Sequence, residues 1–172
     1  MTTVYLLLGT NMGNRLQHLQ DARDLIGNRT LSENISPGSK LIPLKGSSIY
    51  ETAAWGKIEQ DDYLNQVMVI STDITAQTLL KITSCIETRL GRIRKKVWEP
   101  RIIDIDILFY GNEIIHEEKL IIPHPYLQNR RFVLAPLAEI APHFTHPVFK
   151  KDILTLLAEC PDPLWVRKYE GT

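Results

Sequence analysis

Disulfide chemistry has almost nothing to work with in this chain. Its 172 residues include two cysteines, Cys85 and Cys160, far apart and in no C-x-x-C spacing. That pattern fits reduced thiols in the cytoplasm rather than a disulfide framework. No apolar run reaches the roughly 18 residues that a membrane span needs. The start, Met1-Thr2-Thr3-Val4-Tyr5, lacks the basic region of a secretory signal. Neither sign of charge is in excess, with 20 Lys+Arg against 20 Asp+Glu. Nucleic-acid-binding domains are usually strongly basic, so that class is disfavoured. There is no internal repeat, no low-complexity tract, and no nucleophile beside an obvious base, which argues against covalent catalysis. What remains is an ordinary globular composition, 44% hydrophobic. We expect one domain over 1–172, with a real core, acting as a monomer.

Chemistry concentrates in one stretch. Arg92, Arg94, Lys95, Lys96 and Arg101 form a dense basic loop, and Arg101 to Tyr110 is an apolar run broken only by Asp104 and Asp106. Residues two apart on a strand share a face, about 7 Å apart. Both carboxylates therefore point the same way from a strand that otherwise reads as buried. Two carboxylates held together repel unless a cation sits between them. Hard oxygen ligands in pairs suit Mg²⁺, which completes its shell with water and phosphate oxygens. The neighbouring guanidinium and ammonium groups suit a polyphosphate. The plainer alternative is a solvated edge strand whose acids pair with Arg92 or Arg101.

Around that stretch the chain alternates strands and helices. Val4 to Leu8 reads as a buried strand. Gly9 to Asn14 is a turn without the G-x-G-x-x-G spacing, read as a plain turn rather than a phosphate cradle. Asn14 is expected to cap a helix with its stripe at Leu16, Leu19, Ala22 and Ile26, stopping at Gly27. Residues 28–46 are polar and unpatterned, and read as a long loop. Ser47 to Thr52 and Leu64 to Thr72 are strands. Trp55, at a loop tip, either packs over the core edge or stacks on a flat ligand. Asn65 and Gln66 are amides in a buried strand and need partners. Thr75 caps a second helix, striped by Leu79, Ile82, Ile86 and Leu90 and ended by Gly91. Gly111-Asn112 reads as a hairpin turn. Two short helices, over Phe132–Ile140 and Asp152–Glu159, close the chain. His124 stands between two prolines and is a candidate phosphate ligand or a structural residue. His143 and His146 have a metal-like spacing, but prolines flank them and no acid pair stands by, so no zinc site is read there. The order predicts an α+β, ferredoxin-like β-α-β-β-α-β core. Its sheet should be mainly antiparallel, with helices on both faces in three αβα layers.

Taken together, these residues resemble the 6-hydroxymethyl-7,8-dihydropterin pyrophosphokinase family of folate synthesis. The likeness rests on Leu8 to Asn14, Asp62-Tyr63-Leu64-Asn65, Gly91 to Arg94, Trp98 to Asp106, Gly111-Asn112, Pro123-His124-Pro125 and Asn129 to Phe132. It implies transfer of the β,γ-diphosphate of ATP to a pterin hydroxymethyl group, releasing AMP. It further implies two Mg²⁺ held by Asp104 and Asp106. Arg92 and Arg101 would contact phosphates, and Arg92, Arg94 and Trp98 would belong to a loop that closes over the site. His124 would bind the triphosphate, Lys119 and Arg130 would support the nucleotide, and Ser84 and Ile107 would lie near adenine. Tyr63 and Phe132 would sandwich the pterin, with Asn65 and groups near Thr52 and Trp55 on its edge and Glu87 as support. Glu99 departs from the glycine usual before Pro100-Arg101. Two other classes stay in view: a ferredoxin-like regulatory module that binds nucleotide without chemistry, and an RNA-binding domain using the basic loop.

Overall fold

A computed structural model describes residues 1–28, 37–54, 61–92 and 101–171. Its centre is β1 (Thr2–Thr10), flanked by β4 (Tyr63–Thr72) and β5 (Asp104–Tyr110), each antiparallel to it. On the far side of β4 lie two short strands end to end. β2 (Leu41–Gly46) pairs with the stretch from Met68 to Thr72, and β3 (Tyr50–Thr52) with Tyr63 to Asn65. A last strand, β8 (Val166–Lys168), adds to β3 and ends the sheet. The path β5-β1-β4-β3 is the ferredoxin-like order, with its second strand broken in two.

Helix α1 (Arg15–Gly27) follows β1, and α2 (Ala76–Arg89) follows β4. The Asn14 side chain accepts from the Gln17 N–H at 3.2 Å, and Thr75 accepts from Thr78 at 3.2 Å. Both expected caps thus meet donors that a helix start leaves unpaired. Leu19, Ala22 and Ile26 of α1 and Leu79, Ile82 and Ile86 of α2 pack on one sheet face, against Val4, Leu6, Leu8, Met68 and Ile70. Leu16, expected in that stripe, is exposed; it sits in the first turn, ahead of the region where α1 settles on the sheet. On the other face lie α3 (Arg131–Ile140) and α4 (Ile153–Ala158). Val133, Leu134, Leu137, Ile153 and Leu156 cover Leu7, Val67 and Phe109 there. Helices on both faces make the expected three layers.

Two expectations need correction. Leu41 to Gly46 falls in the stretch read as loop, yet it forms β2. The helix and strand patterns fail there because only Leu41 is buried and Pro43 interrupts the run. A strand on one edge can hold a proline where the register shifts, as it does between Pro43 and Lys45. The turn at Gly111 and Asn112 does not start a hairpin with β5. It leads to β6 (Ile115–Glu117), which pairs with β7 (Leu120–Ile122) in a separate two-stranded sheet.

Candidate active site

Asp104 lies opposite Gly9 and Asp106 opposite Leu7 on β1, so both carboxylates share the sheet face that α3 covers further along. Tyr63, Asn65 and Thr52 share that face on β4 and β3, by the same alternation. Around the acids the fold gathers cations from three places. Gly91 adopts a left-handed conformation (φ +94°), and the chain reverses with Gly91 N–H donating to Thr88 and Arg92 N–H to Glu87. That helix ending suits glycine, and it brings Arg92 back onto its own helix. The Arg92 guanidinium bridges Glu87 and Asp104, at 2.7 Å from Asp104 Oδ1. Arg101 pairs with Asp104 from the other side. The His124 Nε2 stands 3.9 Å from Asp106 Oδ2. Arg130 lies over the rings of Tyr126 and Phe132, at 5.9 and 5.8 Å from their centroids.

Electrostatics divides the acids. Asp104 has two arginines. Asp106 is pushed up to about 7, first by burial and then by the charges of Asp104 and Glu87, against the pull of Arg130 and Arg101. Glu87, 3% exposed, is likewise raised to about 7 by burial and by Asp104, although its Oε1 accepts from the Ile105 N–H at 2.8 Å. Burial and Arg130 push His124 down to about 4, so it is neutral at pH 7 and can donate a hydrogen bond without carrying charge. Asp104 does form ion pairs, while Asp106, its side chain 34% exposed, is crowded by the acids Asp104 and Glu87.

The site gathers Arg92, Arg101, Asp104, Asp106, Glu87, His124 and Arg130, with Tyr63 close enough to feel the charges of Arg101 and Asp104. Asn65 Nδ2 donates to Thr52 Oγ1 at 2.8 Å. Ser84 is half-buried one turn before Glu87, and the Ile107 side chain packs among the α1/α2 core rather than on the aspartate face. Lys119 is exposed in the β6–β7 turn, and among the described residues no ion pair joins it to the aspartates. Trp55, Arg94 and Trp98, with Lys95 and Lys96, lie outside the described residues. His146 has a structural task. Its ring lies tilted against Phe149 and meets Phe109 edge-on, and its Nδ1 accepts from the Val148 and Phe149 N–H groups.

Sequence reasoning missed Asn11. Its Oδ1 accepts from the Arg101 N–H at 2.9 Å, and its Nδ2 donates to the Asp61 carbonyl at 3.3 Å. One buried amide thus holds Arg101 and the approach to Tyr63 together. The available signal was an asparagine between glycines in a turn leaving a buried strand.

Fold and site define a class: a ferredoxin-like α+β domain with paired aspartates ringed by arginines on one sheet face. The family described as 7,8-dihydro-6-hydroxymethylpterin-pyrophosphokinase (HPPK) matches residues 5–142, and the chain belongs to that family. It is 39% identical over 142 residues to a 2-amino-4-hydroxy-6-hydroxymethyldihydropteridine pyrophosphokinase of Methylorubrum extorquens, covering 83% of this chain and 84% of that one. A protein of the same name from Aquifex aeolicus is 37% identical over 153 residues, 89% of each chain. Among solved structures, Plasmodium falciparum HPPK-DHPS matches 92% of this chain with a TM-score of 0.69 and 18% identity. This chain spans 43% of that longer one, and the likeness speaks to fold.

Proposed function

We propose that this chain transfers the β,γ-diphosphate of ATP to the hydroxymethyl group of 6-hydroxymethyl-7,8-dihydropterin, for folate synthesis, and acts as a cytoplasmic monomer. The hydroxymethyl oxygen forms the new bond to the β-phosphorus. The bond from that phosphorus to the AMP oxygen breaks, and the hydroxyl proton is released. The observation that carries this reading is the carboxylate pair beside Glu87, ringed by Arg92, Arg101, Arg130 and His124, on the same face as Tyr63 and Asn65.

The donor set fits a hard divalent cation. Asp106 is an oxygen ligand crowded by like charges, which a cation would relieve. Asp104 and Asp106 would hold two Mg²⁺, which supply neutralisation of the ATP phosphates when bound. The chain's own groups do the rest. Arg92 and Arg101 leave Asp104 for phosphate oxygens when nucleotide arrives, exchanging one charge-assisted bond for another. Neutral His124 donates to the triphosphate, and Arg130 faces its outer charge. Ser84 and Ile107 flank the adenine, and Lys119 extends the basic rim. Tyr63 and Phe132 stack on the pterin, whose edge meets Asn65 and Thr52. Arg94, Trp98 and Trp55 carry the loop and edge roles that the family likeness implies. Such transfer needs positioning and charge stabilisation more than covalent help.

Product analysis tests this. With MgATP and the pterin, AMP and pterin diphosphate should form together, and neither without the pterin. ADP as the product would mean ordinary kinase chemistry. Bound ATP without turnover would mean a regulatory nucleotide-binding module.

A further inference from the structure

We propose that Arg15 is a positioning residue for pterin recognition: from the opposite face of the sheet it ties Glu51 to the backbone just before Tyr63, with Arg167 of the C-terminal strand as a second grip on Glu51. The inference rests on the pterin reading of Tyr63, Asn65 and Thr52 given above.

Glu51 is the middle residue of β3, between Tyr50 and Thr52. Alternation places its side chain on the α1 face, away from Thr52 and Asn65. It is buried there, with its side chain 11% exposed, and it is doubly paired. Arg15 Nη2 donates to Glu51 Oε1 at 3.1 Å, and Arg167 Nη2 to Oε2 at 2.6 Å. The other arm of Arg15 completes the link, because Nη1 donates to the Asp62 carbonyl at 2.7 Å. Asp62 precedes Tyr63, and Asn11 holds the carbonyl of Asp61. Two side chains from the turn and helix after β1 therefore set where the chain enters β4, and so where the Tyr63 ring stands. β8 is the strand that carries Arg167, and it lies past the segment matched by the family. Thr52 faces Val166 across that pairing, and the Ala53 N–H donates to the Trp165 carbonyl.

Exposed ion pairs contribute little, so Arg167, whose side chain is 69% exposed, is the weaker grip. Arg15 is different, since its side chain is 26% exposed and its planar fork spans two acceptors. Lysine has a single ammonium on a flexible stem and cannot reproduce that span.

The test is steady-state kinetics of the full chain with MgATP and 6-hydroxymethyl-7,8-dihydropterin. Arg15→Ala should raise the pterin KM about tenfold, the size of a lost hydrogen bond to a charged group. The ATP KM and kcat should stay within about twofold, since the pterin binding that is lost is shared by ground state and transition state. Arg15→Lys should recover little of the loss, and Arg167→Ala should show a smaller rise of the same kind. If Arg15→Ala does not fold, Glu51→Gln keeps the shape of the carboxylate and should also raise the pterin KM alone. An unchanged pterin KM in a folded variant overturns the proposal. So does an equal rise for both substrates, which would mean general loosening. A wild-type protein that makes no pterin-dependent AMP would instead refute the functional reading, and the inference would fall with it.

Discussion

At Gly9, strand β1 passes between Asn65 on β4 and Asp104 on β5. A methyl group at that position would meet Asn65 Oδ1 at 2.9 Å, closer than side chains tolerate. Asn65 is buried, and its amide nitrogen is committed to Thr52, so it has little room to give. Gly9→Ala should therefore raise the pterin KM several-fold, by about the cost of one disturbed hydrogen bond, and leave the ATP KM unchanged. An unaltered pterin KM would show that Asn65 is not held on the pterin edge. At this scale the acids and the two amides were legible, because each is a polar residue where a buried strand needs none, and Arg101 was legible as part of the basic run before them. Asn11 and Arg15 were not. Their partners are backbone carbonyls at Asp61 and Asp62, about fifty positions away in the chain, and no spacing rule reports such contacts.

Among the elements, α3 is fastened to the sheet face that carries Tyr63 and Asn65 through Glu139. Its carboxylate accepts from Tyr50 Oη at 2.6 Å, Ser48 N at 3.0 Å and Ser48 Oγ at 2.9 Å, and Lys168 stands at 3.4 Å. Burial alone would raise its pKa, but the hydrogen bonds from Tyr50 and Ser48 hold it down at about 2. A carboxyl depressed in the folded state contributes stability above its unfolded value, and loses it as pH falls toward the folded one. Glu139→Gln should cost about 1 kcal/mol in urea unfolding at pH 7, since the carboxylate is partly exposed and solvent screens its contacts. The difference from wild type should shrink below pH 4. A constant difference across that range would exclude the ionised carboxylate as its source. The long amphipathic elements were legible because they repeat their pattern over two or more turns. β2 and β8 were not. β2 buries one residue of six, and β8 is three residues on an open edge, so neither has a period to read.

Across the whole molecule, two apolar layers sandwich one sheet, and the acids emerge at its outer strand. The isolated protein therefore carries an unrelieved cost at Asp106. A carboxyl raised from 3.8 to about 7 keeps its proton in the folded state where the unfolded chain has lost it. That stabilisation is complete below about pH 4 and disappears as pH rises through 7. Asp106→Asn should thus gain stability over wild type from pH 4 to 8, read by thermal unfolding without Mg²⁺ or nucleotide. His124, depressed to about 4, acts in the opposite sense in both proteins and largely cancels in the difference. The same variant should lose most turnover while still binding the pterin. Near-normal turnover would overturn the proposed metal role of Asp106, and a flat stability difference would remove the charge crowding.

The order of the long strands and helices, the shared face of Asp104 and Asp106, and the caps of α1 and α2 were decided by the sequence itself. Each follows from local geometry: side chains alternate along a strand, recur every turn of a helix, and cap where donors lack partners. The tertiary structure alone decided that Glu87 and Arg92 return to Asp104, that Asn11 and Arg15 grip the same segment before Tyr63, and that a C-terminal strand closes the sheet beside Thr52. Those contacts join residues that only packing brings together, and their energy depends on burial and direction.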